Sequence, residues 1–424
     1  LSQQVPNAVD DEHASSNGRS RLPVIEHLTW PRFWTEPRHQ KGGIALTREA
    51  SPVLHRLALA CVALAALAAA PSASAQSQRP SAPVYQVDPH WPKTLPNNWG
   101  IGQAAGVAVD RRDHVWVIHR PRTMTEDERG AALTPPRSEC CIPAPSVIEF
   151  DPDGNVVQAW GGPGHHPSWP ANEHGIYVDA ADNVWIGGNG NSDHVLLKFT
   201  RDGRFLLQIG ITGETGGSND PQRLGRPADV EVDIATNEAF VADGYQNRRV
   251  VVFNATTGAY IRHWGAYGRV PPPDAALPAY VTGQAPSQSF ANPVHCVRLA
   301  RDGLVYACDR GNDRIQVFRR DGTFVKEVFV ATATLGSGSV WDIDFLPDPS
   351  ESVLLAADGS NNTVWLLARE AGEIIGRFGR SGRNAGEFHW VHNMALDSRG
   401  NVFTTEVDTG KRAQRFRLVS QLPH

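Results

Sequence analysis

Three observations predict an all-β chain folded as a six-bladed β-propeller. A strand–turn–strand pattern recurs six times between Gly106 and Val407. Within each copy apolar and polar residues alternate, and turn residues return every eight to twelve positions, as in successive hairpins. The 39 Gly and 31 Pro in 424 residues exceed what a helical protein tolerates and suit many tight turns. Four strands per copy, at a repeat length of tens of residues, is the signature of a propeller blade. The net charge of −5, with no concentrated basic stretch, argues against a duplex nucleic-acid binder. Twelve Trp and 41% hydrophobic residues exclude a mostly disordered chain.

Taken in chain order, the first element is an apolar run at 57–70, LALACVALAALAAA, preceded by His55 and Arg56. Ala73 and Ala75 follow as an A-x-A cleavage site, so the run reads as a secretory signal peptide, too short to span a bilayer. The expectation is that residues 1–75, a mis-assigned N-terminal extension plus signal peptide, are removed. Residues 76–424 are then exported, to the periplasm or outside the cell, with no membrane span and with cysteines in an oxidising compartment.

The six copies are GVAVDRRDHVWVIHR, GIYVDAADNVWIGGN, DVEVDIATNEAFVADGY, CVRLARDGLVYACDR, DIDFLPDPSESVLLAADG and NMALDSRGNVFTTEV. Each opens with an apolar strand and turns at a D-x-x-(G/N)-like tetrad. Outer hairpins such as VLLKFTRDGRFLLQIG follow. Blade six lacks a fourth strand, and VYQVD, Val84–Asp88, is the candidate to close the ring and remove its free edges. Pro-rich insertions at 121–145 and 266–290 read as loops over one face.

The functional signal appears when the blades are aligned on their first strands. The residue entering that strand is Ala105, His174, Ala228, His295, Trp341 and His392 in blades one to six. Six blades are about 60° apart around the axis, so His from alternate blades converge on the channel from three directions. That pattern suits a three-His metal site with an open fourth position. With 16 His in 424 residues, three hits at six aligned positions arise by chance roughly once in a thousand. Histidines that merely packed between blades would not alternate.

The second strand of each blade returns to the same face. Its ends carry Arg120, Tyr245 and Arg310. Two guanidiniums there could hold an anionic group and a phenol could move a proton. The competing role for Arg310 is an ion pair with Asp309 or Asp313.

EHGIYVD, NPVHCVRL with CDRGNDRIQVF, and WVHNMALD resemble the zinc-ligand segments of the peptidyl-α-hydroxyglycine α-amidating lyases, an NHL-repeat β-propeller family. VADGYQNRRVVVF resembles the segment carrying their catalytic Tyr, and GVAVDRRDHVWVIHR the one carrying an active-site Arg. The resemblance covers about 84–420 and implies zinc on His174, His295 and His392, Tyr245 as base, and Arg120 and Arg310 lining the pocket. It also implies a calcium ion on the carbonyls of Val107 and Ile176 and on residue 393, an acid in the family and Asn393 here. Where the family has Met, this chain has Trp390, which with Trp341 alters the pocket wall. The implied reaction splits the C–N bond of a small or peptide-derived carbinolamide into an amide and an aldehyde such as glyoxylate.

Cys296 and Cys308 lie across one hairpin of blade four and are either bridged or a buried free pair. Cys140 and Cys141 are adjacent in the first insertion, joined to each other or to another partner. Three rival functions stand beside the lyase, one of them an NHL-like propeller that keeps the metal site but has lost or altered the activity. Another is a lactonase, or gluconolactonase-like hydrolase, whose hard divalent cation would take oxygens from Asp229, Asp342 and Asn393. The third is a non-catalytic NHL propeller that binds protein or glycan and needs no metal.

Overall fold

A computed structural model describes residues 80–273 and 277–421, with the side chains of 420 and 421 left aside. The signal peptide expected at 57–75 lies outside the described residues. Among the described residues six four-stranded antiparallel sheets follow one another, and Trp99–Gly100 pairs with Ile142–Pro143 in a separate short parallel sheet. The described residues form a six-bladed β-propeller.

The inner strands, in blade order, are Gln103–Val109, Glu173–Val178, Pro227–Asp233, Val294–Leu299, Asp342–Phe345 and Val391–Leu396. The strand after each is Val115–Arg120, Val184–Gly188, Glu238–Asp243, Val305–Asp309, Val353–Asp358 and Val402–Glu406. Asp110 shows why the connecting turn is tight: its Oδ1 accepts the backbone N–H groups of Arg112 and His114 at 2.8 and 3.1 Å. Asp179 and Asp397 do the same in blades two and six. The fourth turn residue is left-handed, φ 61° at Asp113, 63° at Asp182 and 79° at Gly400, which explains the short polar residues and glycine found there.

Alternation then sends one face of each sheet against the next blade. Between blades two and three, Trp185, Leu196, Val230, Val232, Val241, Val251 and Phe253 form one buried cluster. Each such aliphatic side chain contributes about 1.5–3 kcal/mol through burial. Pro83–Asp88 pairs antiparallel with Arg412–Gln421, so the N-terminal strand completes blade six as expected. No helix among the described residues is long and apolar enough to cross a membrane.

Candidate metal centre

In five blades the aligned residue lies inside the inner strand rather than just ahead of it, and the difference matters. Pairing register shifts between Glu173 and Ile176, between Val294 and Val297, and between Val391 and Asn393. Each His therefore sits in a β-bulge, the irregularity that re-aims a side chain out of the pleat. Similar shifts occur at Ala105 and Ala228. Blade five begins its strand one residue later, after Trp341.

The bulges turn His174, His295 and His392 onto the channel axis, buried to 2–3% exposure, with ligand atoms all within 4.8 Å of one another. The three non-His positions have a task as well. His174 Nδ1 lies 2.8 Å from the Ala228 carbonyl, His392 Nδ1 lies 2.6 Å from that of Ala105, and His295 Nδ1 meets that of Trp341. A carbonyl only accepts, so each neutral ring carries its proton on Nδ1 and turns a bare Nε2 inward. Each blade with a His is thus oriented by the carbonyl of the next blade, the outer-shell device that fixes metal-binding imidazoles. Gly175 permits this approach: a Cβ there would lie 2.4 Å from the Ala228 oxygen.

Electrostatics keep the rings neutral. Burial, reinforced by the charge of Arg120, pulls His174 down to about 3. Burial, with Arg310 and the other two rings, holds His295 well below the usual imidazole range, and burial with His174 and Arg120 does the same for His392. Tyr245 stands among them, its Oη 2.9 Å from His174 Nε2 and 3.1 Å from His295 Nε2. One hydroxyl proton cannot serve three bare nitrogens. The donor set therefore fits a borderline cation such as zinc.

The surrounding residues are those the alignment indicated. Arg310 forms no ion pair with Asp309 or Asp313. Asp309 instead accepts from Arg314, and Asp313 from Ser339 N–H. The Arg310 guanidinium lies 4.2 Å over the Trp341 ring and 5.8 Å over that of Tyr245, with a buried Nε that has no hydrogen-bond partner. Arg120 is held by the Glu173 carbonyl at 2.8 Å and Gln103 Oε1 at 2.6 Å, and burial pulls it down to about 10, still charged at neutral pH. Trp341 packs 5.4 Å from Trp390, 5.7 Å from His295 and 5.6 Å from His392, forming an aromatic wall on the blade-five side.

Not all the sequence candidates gather here. Cys296 and Cys308 are bonded across the first hairpin of blade four, directly behind His295. Cys140 and Cys141 are bonded to each other in the first insertion. Asp229, Asp342 and Asn393 form a separate layer one residue further along the inner strands. Val107 and Ile176 lie on the neighbouring inner strands, where Val107 N–H donates to Asn393 Oδ1 at 2.7 Å. Gln103 and Arg298 were not singled out from sequence. Arg298 was visible at the third position after His295, where blades three and five carry Glu231 and Asp344.

No protein-family profile matches the chain. Among curated proteins it is 26% identical over 337 residues to peptidyl-glycine alpha-amidating monooxygenase B of Xenopus laevis, covering 74% of this chain and 34% of that protein. It is 24% identical over 326 residues to a probable peptidyl-alpha-hydroxyglycine alpha-amidating lyase of Caenorhabditis elegans, covering 73% of this chain and 81% of that one. The chain thus resembles the amidating lyases and NHL repeat-containing proteins at modest identity over most of its length. NHL repeat-containing protein 3 of Mus musculus is a further relative, 28% identical over 253 residues, with 58% of this chain and 59% of that protein covered. The chain spans about a third of the length of the amidating monooxygenase.

Proposed function

We propose that this propeller is a zinc-dependent lyase that cleaves the C–N bond of a carbinolamide of the peptidyl-α-hydroxyglycine type, releasing an amide and an aldehyde such as glyoxylate. The observation that carries the reading is the Tyr245 hydroxyl, within hydrogen-bond reach of two of three inward-facing Nε2 atoms. His174, His295 and His392 would hold the zinc, which supplies a Lewis acid for the substrate's oxygens. Tyr245, entering the reaction as its phenolate, takes the proton of the carbinol hydroxyl and can return it to the leaving nitrogen. The O–H pair becomes the second bond of the aldehyde C=O, the C–N pair leaves with nitrogen, and nitrogen recovers a proton as the amide. Arg310, with its unpartnered Nε, receives the substrate carboxylate, and Arg120 sets the positive potential of that wall.

The alternating His and the Tyr favour this reading over a lactonase, since Asp229 Oδ2, both oxygens of Asp342 and Asn393 Oδ1 already accept hydrogen bonds within the protein. The Cys296–Cys308 bridge supports export to an oxidising compartment. Zinc-loaded protein incubated with an α-hydroxyglycine-extended peptide is expected to release glyoxylate and peptide amide in equal amounts. Loaded protein that releases neither would contradict the proposal.

A further inference from the structure

Below the three rings the channel holds a second polar layer. Asp229, Asp342 and Asn393 are its buried members, each one residue beyond the aligned position of its blade. The family resemblance implies a calcium ion beside this layer, and the residues present do not fit one. Asn393 has no charge, its Oδ1 accepts the Val107 N–H, and its Nδ2 donates to Asp342 Oδ2. Asp342 accepts also from Ile343 N–H at 2.8 Å and Met394 N–H at 2.9 Å, and Asp229 from Val297 N–H at 3.1 Å. Calcium needs six to eight oxygens free to turn towards it.

A cation is nevertheless present. Arg298, from the inner strand of blade four, enters the layer between the two carboxylates. Its Nη1 pairs with Asp229 Oδ2 and also donates to the Val297 carbonyl at 2.9 Å. Its Nη2 straddles Asp342, 3.0 Å from Oδ1 and 3.2 Å from Oδ2. Two carboxylates buried together require a positive charge, and a planar guanidinium with five donors can satisfy both. We propose that Arg298 is the resident cation of this layer. It pairs with both Asp229 and Asp342 in the place a bound calcium would take, so this propeller holds its channel without that ion.

The test uses wild-type protein stripped of metals and reloaded with zinc alone, then melted and titrated with calcium up to about 5 mM, above the range of weak extracellular sites. Wild type is expected to show no calcium binding and an unchanged Tm. Arg298→Met leaves the two carboxylates without a partner cation. It is expected to melt well below wild type and to recover several degrees when calcium is added. Wild type that binds one calcium per chain would overturn the proposal. So would an Arg298→Met variant as stable as wild type, or one whose loss calcium leaves uncorrected. If Arg298→Met does not fold, Arg298→Met with Asp229→Asn removes the excess charge and is expected to fold. Its failure to fold would equally count against the proposal.

Discussion

Two layers of one channel, a single residue apart along the inner strands, are built from opposite materials. In the upper layer three nitrogens of one polarity face each other, with their second nitrogens tied to carbonyls of the next blade. In the lower layer two carboxylates, an amide and a guanidinium close on one another. The first arrangement is unsatisfied by the protein alone and the second is complete. Function in this fold follows from that contrast, because a ligand is required only where acceptors meet without donors.

The largest effect expected is in the upper layer. Tyr245→Phe should lower turnover of an α-hydroxyglycine peptide by about 10³-fold, the usual scale for losing a general acid–base, with zinc still bound. Retained turnover would remove the phenol from the chemistry. In the lower layer, Arg298→Met should cost about 3–5 kcal/mol in a urea melt, as for breaking a buried ion pair, while zinc content stays at the wild-type level. Equal loss of zinc would show that the layers are not separable.

His119 sharpens the contrast as a histidine of the satisfied kind. It is fully buried, its Nδ1 accepts the Gly102 N–H at 3.2 Å, and its Nε2 faces the Pro145 carbonyl at 3.0 Å. Burial pulls it down to about 4 from 6.5. A folded value below the unfolded one means the native state binds fewer protons. Its contribution is therefore full above pH 6.5 and lost as pH falls towards 4. Denaturant melts should lose about 2 kcal/mol from this group between roughly pH 7 and 5, and His119→Gln should flatten that part of the profile. A slope unchanged by the substitution would contradict the assignment. The smallest effect is at Arg310. Arg310→Ala should raise KM for the carboxylate-bearing substrate about tenfold, the scale of one charge-assisted hydrogen bond, with a smaller change for the substrate amidated at that position.

The blade count, the closing strand and the three His were legible because propeller repeats carry a register. Aligning inner strands also aligns what points at the axis. The bulges were not legible, since the extra residue at His174, His295 and His392 leaves no composition signal. Their consequence, a side chain turned inward from within a strand, depends on strand pairing between distant segments. The part played by Ala105, Ala228 and Trp341 was hidden for another reason: they act through backbone carbonyls, which every residue possesses. Arg298 was readable in principle, as a basic residue flanked by Glu231 and Asp344 at matching positions, but only once the column three residues past the His had been inspected. The disulfide between Cys296 and Cys308 depended on whether two facing strands brought the pair opposite, which spacing alone leaves open.

In the proposed arrangement the upper layer holds a metal and the lower does not. Metal analysis of wild type beside His295→Ala tests it most directly. About one zinc per chain is expected in wild type, little or none in His295→Ala, and no calcium in either. Full zinc content in His295→Ala, or a wild-type chain loaded with calcium alone, would contradict it.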